Sequence, residues 1–398
     1  MGTEFEVNSL EDMCNAMCNN VLPKNHKQTK PKNTKFLFDE KQTSKGMVSV
    51  SQIQTFLSCR NKWKYNYIDN LTPRMERSYL TIGKLCHKGM QAVMQMLWRF
   101  PSSTLEQLTQ HGLEAMYNMG EEYMGNTPML DEEIPDFLQM RADALAIFAQ
   151  ALREFDPLKY EVVTVIKDGK EIPALELHFK VPCAPTKGLH GYIDAILRNK
   201  ETGFTWCVDY KFRKSLAPDE DEMFNIQNSV YSYACQKMGI EITGTKTWQH
   251  VNVPAADPQI LKTGAISRAK IKTTWEHYAE FCQQNGENPD NYQEEMEEKL
   301  SDIEWYRETH EYRNPETIHN IWNTCVIPVA KEIVKANGKN VNNFRSLYPW
   351  NCKMCQYQSL CQAELRNYDA QAIRDREYTK REHIENTLPL ASVALEED

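Results

Sequence analysis

Asp194 and Asp209 stand in two short stretches, Gly191-Tyr192-Ile193-Asp194 and Val208-Asp209-Tyr210-Lys211. Between them runs a turn cluster, Asn199-Lys200-Glu201-Thr202-Gly203. A hairpin centred on residues 200–203 of that cluster pairs residues whose numbers sum to 403, which sets Asp194 opposite Asp209. Directly opposed strand residues have Cβ atoms about 4.5–5.5 Å apart, and two like charges at that distance need a positive charge between them. A divalent cation meets that need: Mg²⁺ takes hard oxygen ligands, typically one or two carboxylates with waters and a substrate phosphate. Such an ion acidifies a bound water and stabilises charge on a phosphodiester under attack. Side chains alternate along a strand, so Lys211 shares the face of Asp209, and its ammonium can orient the attacking water or stabilise the developing charge. Taken alone, the same residues also describe a solvated strand face bearing two acids and a lysine.

Other residues extend the constellation. His87 lies in a helical pattern with Gly83 one turn before it, which leaves room for close approach to the imidazole, and it can complete a metal's ligand set. Gln227 and Tyr231 are spaced i, i+4 and share a helix face. Gln227 can hydrogen-bond a phosphate or water, and Tyr231 can stack on a base or brace the site; helix packing explains both as well. Cys352-x₂-Cys355-x₅-Cys361 places three thiols within ten positions, a spacing for metal ligation. A closed site takes four thiolates, and Cys59 stands out as the fourth, which would tie the two ends of the chain together. Spacing does not separate zinc from an iron–sulfur cluster. Cys14 and Cys18 fall in a polar segment, whereas Cys207 and Cys235 have apolar neighbours and read as buried.

These residues must be carried by a fold. Ser49 or Ser51 can cap a helix bearing Ile53, Phe56, Leu57, Trp63 and Tyr67. Helical spacing predicts further helices over 77–99, 104–124 and 135–155, the last with a stripe of Leu138, Ala142, Leu145, Phe148 and Leu152. The period then shortens. Strands are expected over 174–181, where Glu176, His178 and Lys180 alternate with apolar residues, and over 189–198, 204–212 and 245–253, with a helix over 222–238. Residues 266–337 read as mostly helical. The expected class is therefore α/β around one sheet. Expected organisation is a flexible basic arm over 1–46, a main domain over 47–365 with helical insertions at about 101–160 and 266–337, and a C-terminal helical tail over 366–398.

The chain has 398 residues, 41% hydrophobic and 25% charged, which excludes a wholly disordered chain. It contains no apolar run long enough to cross a membrane, and its first residues do not have the pattern of a signal peptide. The net charge of −9 is uneven. Residues 24–45 carry seven lysines against two acids, whereas 287–311 hold a dense acidic run. Basic groups that could contact a nucleic-acid backbone are Arg213 and Lys214 beyond the Asp209 strand, and Arg268, Lys270 and Lys272.

In order along the chain, Ser51-Gln52-Ile53 to Cys59, Gly83-x₃-His87, Gly191-x₂-Asp194, Asp209-Tyr210-Lys211, Gln227-x₃-Tyr231 and the Cys352–Cys361 cluster resemble the PD-(D/E)XK nuclease superfamily. The resemblance is to its RecB-like exonucleases with an iron–sulfur staple, such as the AddB nuclease domain, CRISPR-associated RecB-like exonucleases and phage recombination exonucleases. It implies a restriction-endonuclease-like core, a central mixed sheet flanked by helices with helical additions. It also implies a Mg²⁺- or Mn²⁺-dependent DNA exonuclease in which His87, Asp194, Asp209 and the Tyr210 carbonyl bind metal, Lys211 assists the attacking water, and Gln227 and Tyr231 support the site. Cys59, Cys352, Cys355 and Cys361 would hold a [4Fe–4S] cluster, with zinc as the alternative. Arg60 stands where the family pattern has proline after the first cysteine. Implied surroundings are a bacterial or phage-infected cytoplasm, with DNA as substrate and a single-strand annealing protein or other recombination protein as partner. The absence of a GxxxxGK[ST] loop argues against a fused helicase. The alternative on the same fold is a non-catalytic DNA-binding recombination partner, which would have lost the His87, Asp194, Asp209 and Lys211 set.

Overall fold

In the computed structural model, residues 47–381 are described, apart from 75–77, 128, 130, 168, 185–186 and 337–343. The expected arm over 1–46, with Cys14 and Cys18, lies outside them. The chain enters through a short strand β1 (Met47–Ser49) and helix α1 (Val50–Ser58), where the Ser49 hydroxyl accepts the Gln52 N–H as an N-cap. Three long helices follow: α2 (Ser78–Arg99), α3 (Leu105–Asn126) and α4 (Ile134–Glu154). Thr104 and Gln107 close a reciprocal capping box at the start of α3. The strand region comprises β2 (Tyr160–Val162), β3 (Leu175–Ala184), β4 (Lys187–Asn199) and β5 (Thr205–Arg213). Helix α5 (Ile226–Met238) crosses over to β6 (Gly244–Val251), then α6 (Trp275–Gln284) and α7 (Gln293–Leu300) lead to β7 (Tyr306–Glu311), and α8 (Ile327–Ala336) returns to the core.

The central sheet runs β1-β4-β5-β6-β7, with β2 and β3 also paired to β4. β1 runs parallel to β4 and β5 parallel to β6, while β4–β5 and β6–β7 are antiparallel, so the sheet is mixed. One face packs Ile53 and Phe56 of α1, Val230 and Ala234 of α5 and Ala330 and Ile333 of α8 against Phe179, Ile193 and Cys207. The other packs Leu85, Val93 and Leu97 of α2 and Ile147 and Phe148 of α4 against Ala195, Val208 and Trp248. Burial of both faces is the α/β arrangement expected from the strand–helix pattern. Helices α2 and α3 approach closely because Gly89 and Gly112 leave space for the Phe148 ring; a Cβ at either would lie 2.6 Å from it. Cys207 and Cys235 are buried in the same core cluster, as their apolar neighbours suggested.

Three expectations need correction. The span 266–337 is not helical throughout, because Tyr306–Glu311 forms the sheet's edge strand β7. Its charged residues obscure the strand pattern, and charge is what an exposed sheet edge tolerates. The apolar stripes are also rotated: Leu57 and Leu138 face solvent, and Phe137, Met140 and Ala144 take the buried side of α4. The last part of the chain is not a purely helical tail. After helix Ala370–Glu377, residues Tyr378–Lys380 pair antiparallel with Leu71–Pro73, and the residues after 381 lie outside the described region.

Candidate active site

The β4–β5 hairpin has the register read from its turn. Ala195 pairs with Val208, Ile196 with Cys207 and Leu197 with Trp206, so the numbers sum to 403. The ladder ends one step before the two aspartates. There the Asp194 Oδ2 accepts the Tyr210 N–H at 3.0 Å. On the far side of β4 the backbone is kinked as well: Glu176 of β3 has φ +44°, left-handed for a residue with a side chain. The kink switches faces in both strands. Leu177 and Ile193 pack on the α5 side of the sheet, whereas Leu175 and Ala195 pack on the α2 side. Glu176 and Asp194 lie at the two switch points, and both reach the cleft under α2.

His87, from α2, completes this group. Its Nδ1 lies 3.4 Å from Asp194 Oδ2, and its ring meets Tyr210 and Phe212 edge-on. One ligand atom each from His87, Glu176 and Asp194 falls within 4.8 Å of the others, a group suited to a metal ion. Gly83 opens into the same cleft, with nothing within 4 Å of where its Cβ would stand, so the approach to His87 is clear. Burial pushes the Glu176 carboxyl up to about 8, aided by the negative charge of Asp194. Burial also raises the Asp194 pKa, opposed by His87 and reinforced by Asp209. Carboxylates crowded in this way are stabilised by a bound cation.

Asp209 follows Cys207 onto the α5 face and is only 3% exposed. Its Oδ1 accepts hydrogen bonds from Lys211 Nζ and Gln227 Nε2, both at 2.9 Å. Its Oδ2 lies 2.7 Å from the Lys211 ammonium but is buried without a well-aligned hydrogen bond, which leaves that oxygen's acceptor capacity for a cation. Burial works against the Lys211 charge, yet Asp209 and Asp194 outweigh it and raise its pKa, so the amine is an ammonium at neutral pH. Gln227 is held in the first turn of α5 by the Asn225 cap and also donates to the Tyr231 hydroxyl at 2.7 Å. Tyr231 is buried edge-on against Phe179, so this ring braces the core and does not present a face to a base.

A cleft of about 1200 Å³ opens His87, Glu176, Asp194 and Lys211 to the surface, whereas Asp209, Gln227 and Tyr231 do not line it. Arg213 and Lys214 line it, as expected for backbone contacts. Lys84, Lys88 and Arg99 of α2 line it too and were not singled out from the sequence, although their spacing places them along one helix face. The other three basic candidates do not line this cleft. Arg268 pairs with Glu295 at 2.7 Å, Lys270 with Asp302 at 2.5 Å, and Lys272 lies over the Trp305 ring. The acidic run thus serves a satellite core, in which Tyr278, Tyr292, Met296 and Leu300 pack together and the acids neutralise a neighbouring basic loop.

The family model of the PD-(D/E)XK nuclease superfamily matches residues 47–362. The chain belongs to this superfamily. The match spans every element of the sheet and every site residue above. Nucleases of this superfamily use divalent metals and act on DNA, in keeping with the carboxylate and imidazole group in the cleft. No curated protein matches the chain. Among the described residues of this nuclease, no helix is long and apolar enough to cross a membrane.

The cysteine segment of the nuclease docks on the residues after α1. Tyr357 donates to the Leu71 carbonyl at 2.7 Å, and Tyr65 donates to Glu364 at 2.5 Å. Burial raises the Cys355 pKa, and the Cys59 and Cys361 sulfurs, one from each end of the chain, act in the same direction. Arg345 Nε donates to Cys361 Sγ at 3.3 Å, and Cys352 Sγ lies 3.7 Å from the Ser346 carbonyl. All four cysteines are free thiols, partly buried.

Proposed function

We propose that the chain is a metal-dependent DNA exonuclease acting in recombination, repair or processing, with His87, Glu176, Asp194 and Asp209 holding Mg²⁺ or Mn²⁺. The observation that carries this reading is the convergence of His87, Glu176 and Asp194 within 4.8 Å at the place where the β4–β5 ladder opens. The strained Glu176 backbone supports it, since a left-handed non-glycine residue costs on the order of 1–3 kcal/mol and such strain collects at functional sites. The bound ion supplies Lewis acidity and a more acidic water. Asp194 keeps its carboxylate oriented by accepting the Tyr210 N–H, and the carbonyl of Tyr210 is a further candidate ligand. Lys211, an ammonium in the ion pair with Asp209, donates to the attacking oxygen and offsets the negative charge gathering on the phosphate. It does not act as a base while it holds that charge. Gln227 fixes Asp209 Oδ1 and is itself fixed by Tyr231, so it positions rather than reacts. Arg213 and Lys214 receive phosphates along the cleft, whose size suits a few nucleotides of one strand.

Cys59, Cys352, Cys355 and Cys361 are proposed to hold a [4Fe–4S] cluster that fastens the C-terminal segment to the N-terminal helices. The influence of Cys59 and Cys361 on Cys355, with the Arg345 guanidinium donating to Cys361 Sγ, supports a shared metal group. Anaerobic purification should yield coloured protein with about four irons per chain; colourless protein with one zinc would assign the thiolates to zinc instead. For the reaction, linear DNA with one or both ends blocked separates exonuclease from endonuclease. Protection by blocked ends supports the exonuclease, and equal cutting of open and blocked substrates opposes it. The non-catalytic alternative is disfavoured because none of the four polar groups at its centre has been replaced.

A further inference from the structure

Beside the cleft lies a surface that the reading above does not use. Tyr348 and Trp350, at the start of the short helix Pro349–Lys353, are 61% and 69% exposed. The Met354 N–H donates to the Trp350 carbonyl at 3.3 Å, so Trp350 and Met354 are stacked one turn apart on the same side of this helix. Met354 lines the cleft that holds His87, Asp194 and Lys211. Trp350 does not itself line the cleft but stands one turn from Met354, which does, on the cysteine segment. That segment is anchored: Arg60 sits 4.6 Å from the Phe56 ring and 4.7 Å from the Phe344 ring, and Arg345 bonds both Cys361 and Glu364.

Tyr348, Trp350 and Met354 are all exposed within one short anchored segment, and an exposed apolar patch of this kind marks an interaction site. The chemistry of the adjoining cleft says what binds there. Arg213, Lys214, Lys84 and Lys88 make its wall basic and suited to phosphates, while Met354 and the rings beyond it offer flat apolar surface suited to bases. A basic groove continuing onto exposed aromatics is the pattern by which single-stranded nucleic acid is held without sequence preference. A paired duplex keeps its base faces stacked on one another and cannot use such a surface in the same way.

We infer that Trp350, flanked by Met354 and Tyr348, is a base-stacking platform that receives an unpaired stretch of DNA and feeds it into the cleft. The inference rests on the nuclease reading of that cleft and adds the substrate class: single-stranded DNA, or a frayed end. Stacking contributes little to counterion release, so its signature is lost affinity at an unchanged salt dependence.

The test is binding of fluorescein-labelled oligo(dT) to the full chain in EDTA, so that no cutting occurs, over a series of salt concentrations. Trp350→Ala should weaken binding about tenfold with the slope against salt unchanged, and Trp350→Phe should restore most of the loss. Quenching of tryptophan fluorescence by oligo(dT) should shrink in Trp350→Phe, which keeps a ring at the site but removes the indole signal. Unchanged affinity in Trp350→Ala together with undiminished quenching in Trp350→Phe would overturn the platform, as would a fall in salt slope matching that of a phosphate contact. Mn²⁺-dependent digestion by the same preparations tells the two ideas apart. Asp194-dependent digestion with no effect of Trp350 sinks the platform alone, whereas absence of digestion by the wild type sinks the nuclease reading and the platform with it.

Discussion

Asp194 Oδ2 lies 3.4 Å from His87 Nδ1 while accepting the Tyr210 N–H at 3.0 Å. One carboxylate thus ties helix α2 to strand β5 at the point where the hairpin ladder ends. The imidazole of α2 and the acids of the sheet are brought together by backbone geometry, which makes the site a property of the whole sandwich and not of one loop.

The Glu176 carboxyl should make metal binding pH-dependent. Its pKa of about 8 leaves it protonated at neutral pH in the metal-free protein, so a cation must displace that proton. Apparent affinity for Mn²⁺ should rise from pH 6 to pH 8, and Mn²⁺ added to weakly buffered protein at pH 7 should release acid. Glu176→Gln should bind the ion more weakly and remove most of the proton release, measured by calorimetry in buffers of different ionisation enthalpy.

The same group sets the sign of a stability trend. Folded Glu176 keeps its proton up to about pH 8, whereas the unfolded chain loses it near 4.5, the ordinary value for a glutamate. The folded state binds more protons in between, so its contribution to stability is fully present below pH 4.5 and is lost as pH rises towards 8. Denaturant midpoints of EDTA-treated Glu176→Gln should fall less than those of the wild type over that range.

His250 acts in the opposite direction. Burial holds its pKa near 4 against 6.5 in the unfolded chain. Between those values only the unfolded state gains a proton, so stability falls as pH drops from 6.5 to 4, by on the order of 3 kcal/mol from this residue alone. His250→Gln should flatten the acid limb of the stability curve; an unchanged limb would place the acid sensitivity elsewhere.

Gln227 is expected to matter through Asp209. Gln227→Leu removes one of the two donors to Asp209 Oδ1 while keeping most of the volume. A fall of about 10- to 100-fold in kcat is expected, with little change in KM, as for loss of a group that orients a catalytic side chain. Gln227→Glu should be worse, since it sets a second carboxylate against Asp209.

The basic residues should divide by location. Lys214→Ala should lower the salt slope of DNA binding by about one, because it removes a phosphate contact in the cleft. Arg268→Ala and Lys270→Ala should leave the slope unchanged, because their charges are spent on Glu295 and Asp302. Equal effects at all three positions would mean that DNA runs over the acidic segment.

Much of this was legible in the sequence, for physical reasons. Alternation and a Gly-containing turn determine a hairpin register, and the 403 sum follows from a turn over residues 200–203. The Ser49 cap and the periodicity read over 77–99 and 104–124 mark, through local signals, the helices that form over Ser78–Arg99 and Leu105–Asn126. Glu176 was not legible, because alternation places it with His178 and Lys180 and only the left-handed kink turns it towards Asp194. β7 was missed because an edge strand can carry Arg307, Glu308 and Glu311 and then imitates a charged helix. The separation of Arg268 and Lys270 from the cleft depends on how the satellite core folds, which no spacing rule records. The basic face of α2, by contrast, could have been read from Lys84, Lys88 and Arg99, whose intervals of four and eleven residues put them on one side.

The most direct measurement sets Mn²⁺ binding beside digestion of end-labelled linear DNA for the wild type, Asp194→Ala and Lys211→Ala. Asp194→Ala should lose both ion binding and digestion; Lys211→Ala should keep the ion and lose digestion by at least about a hundredfold. Full Mn²⁺ affinity in Asp194→Ala, or digestion by either variant at the wild-type rate, would contradict a metal held between α2 and the opened hairpin.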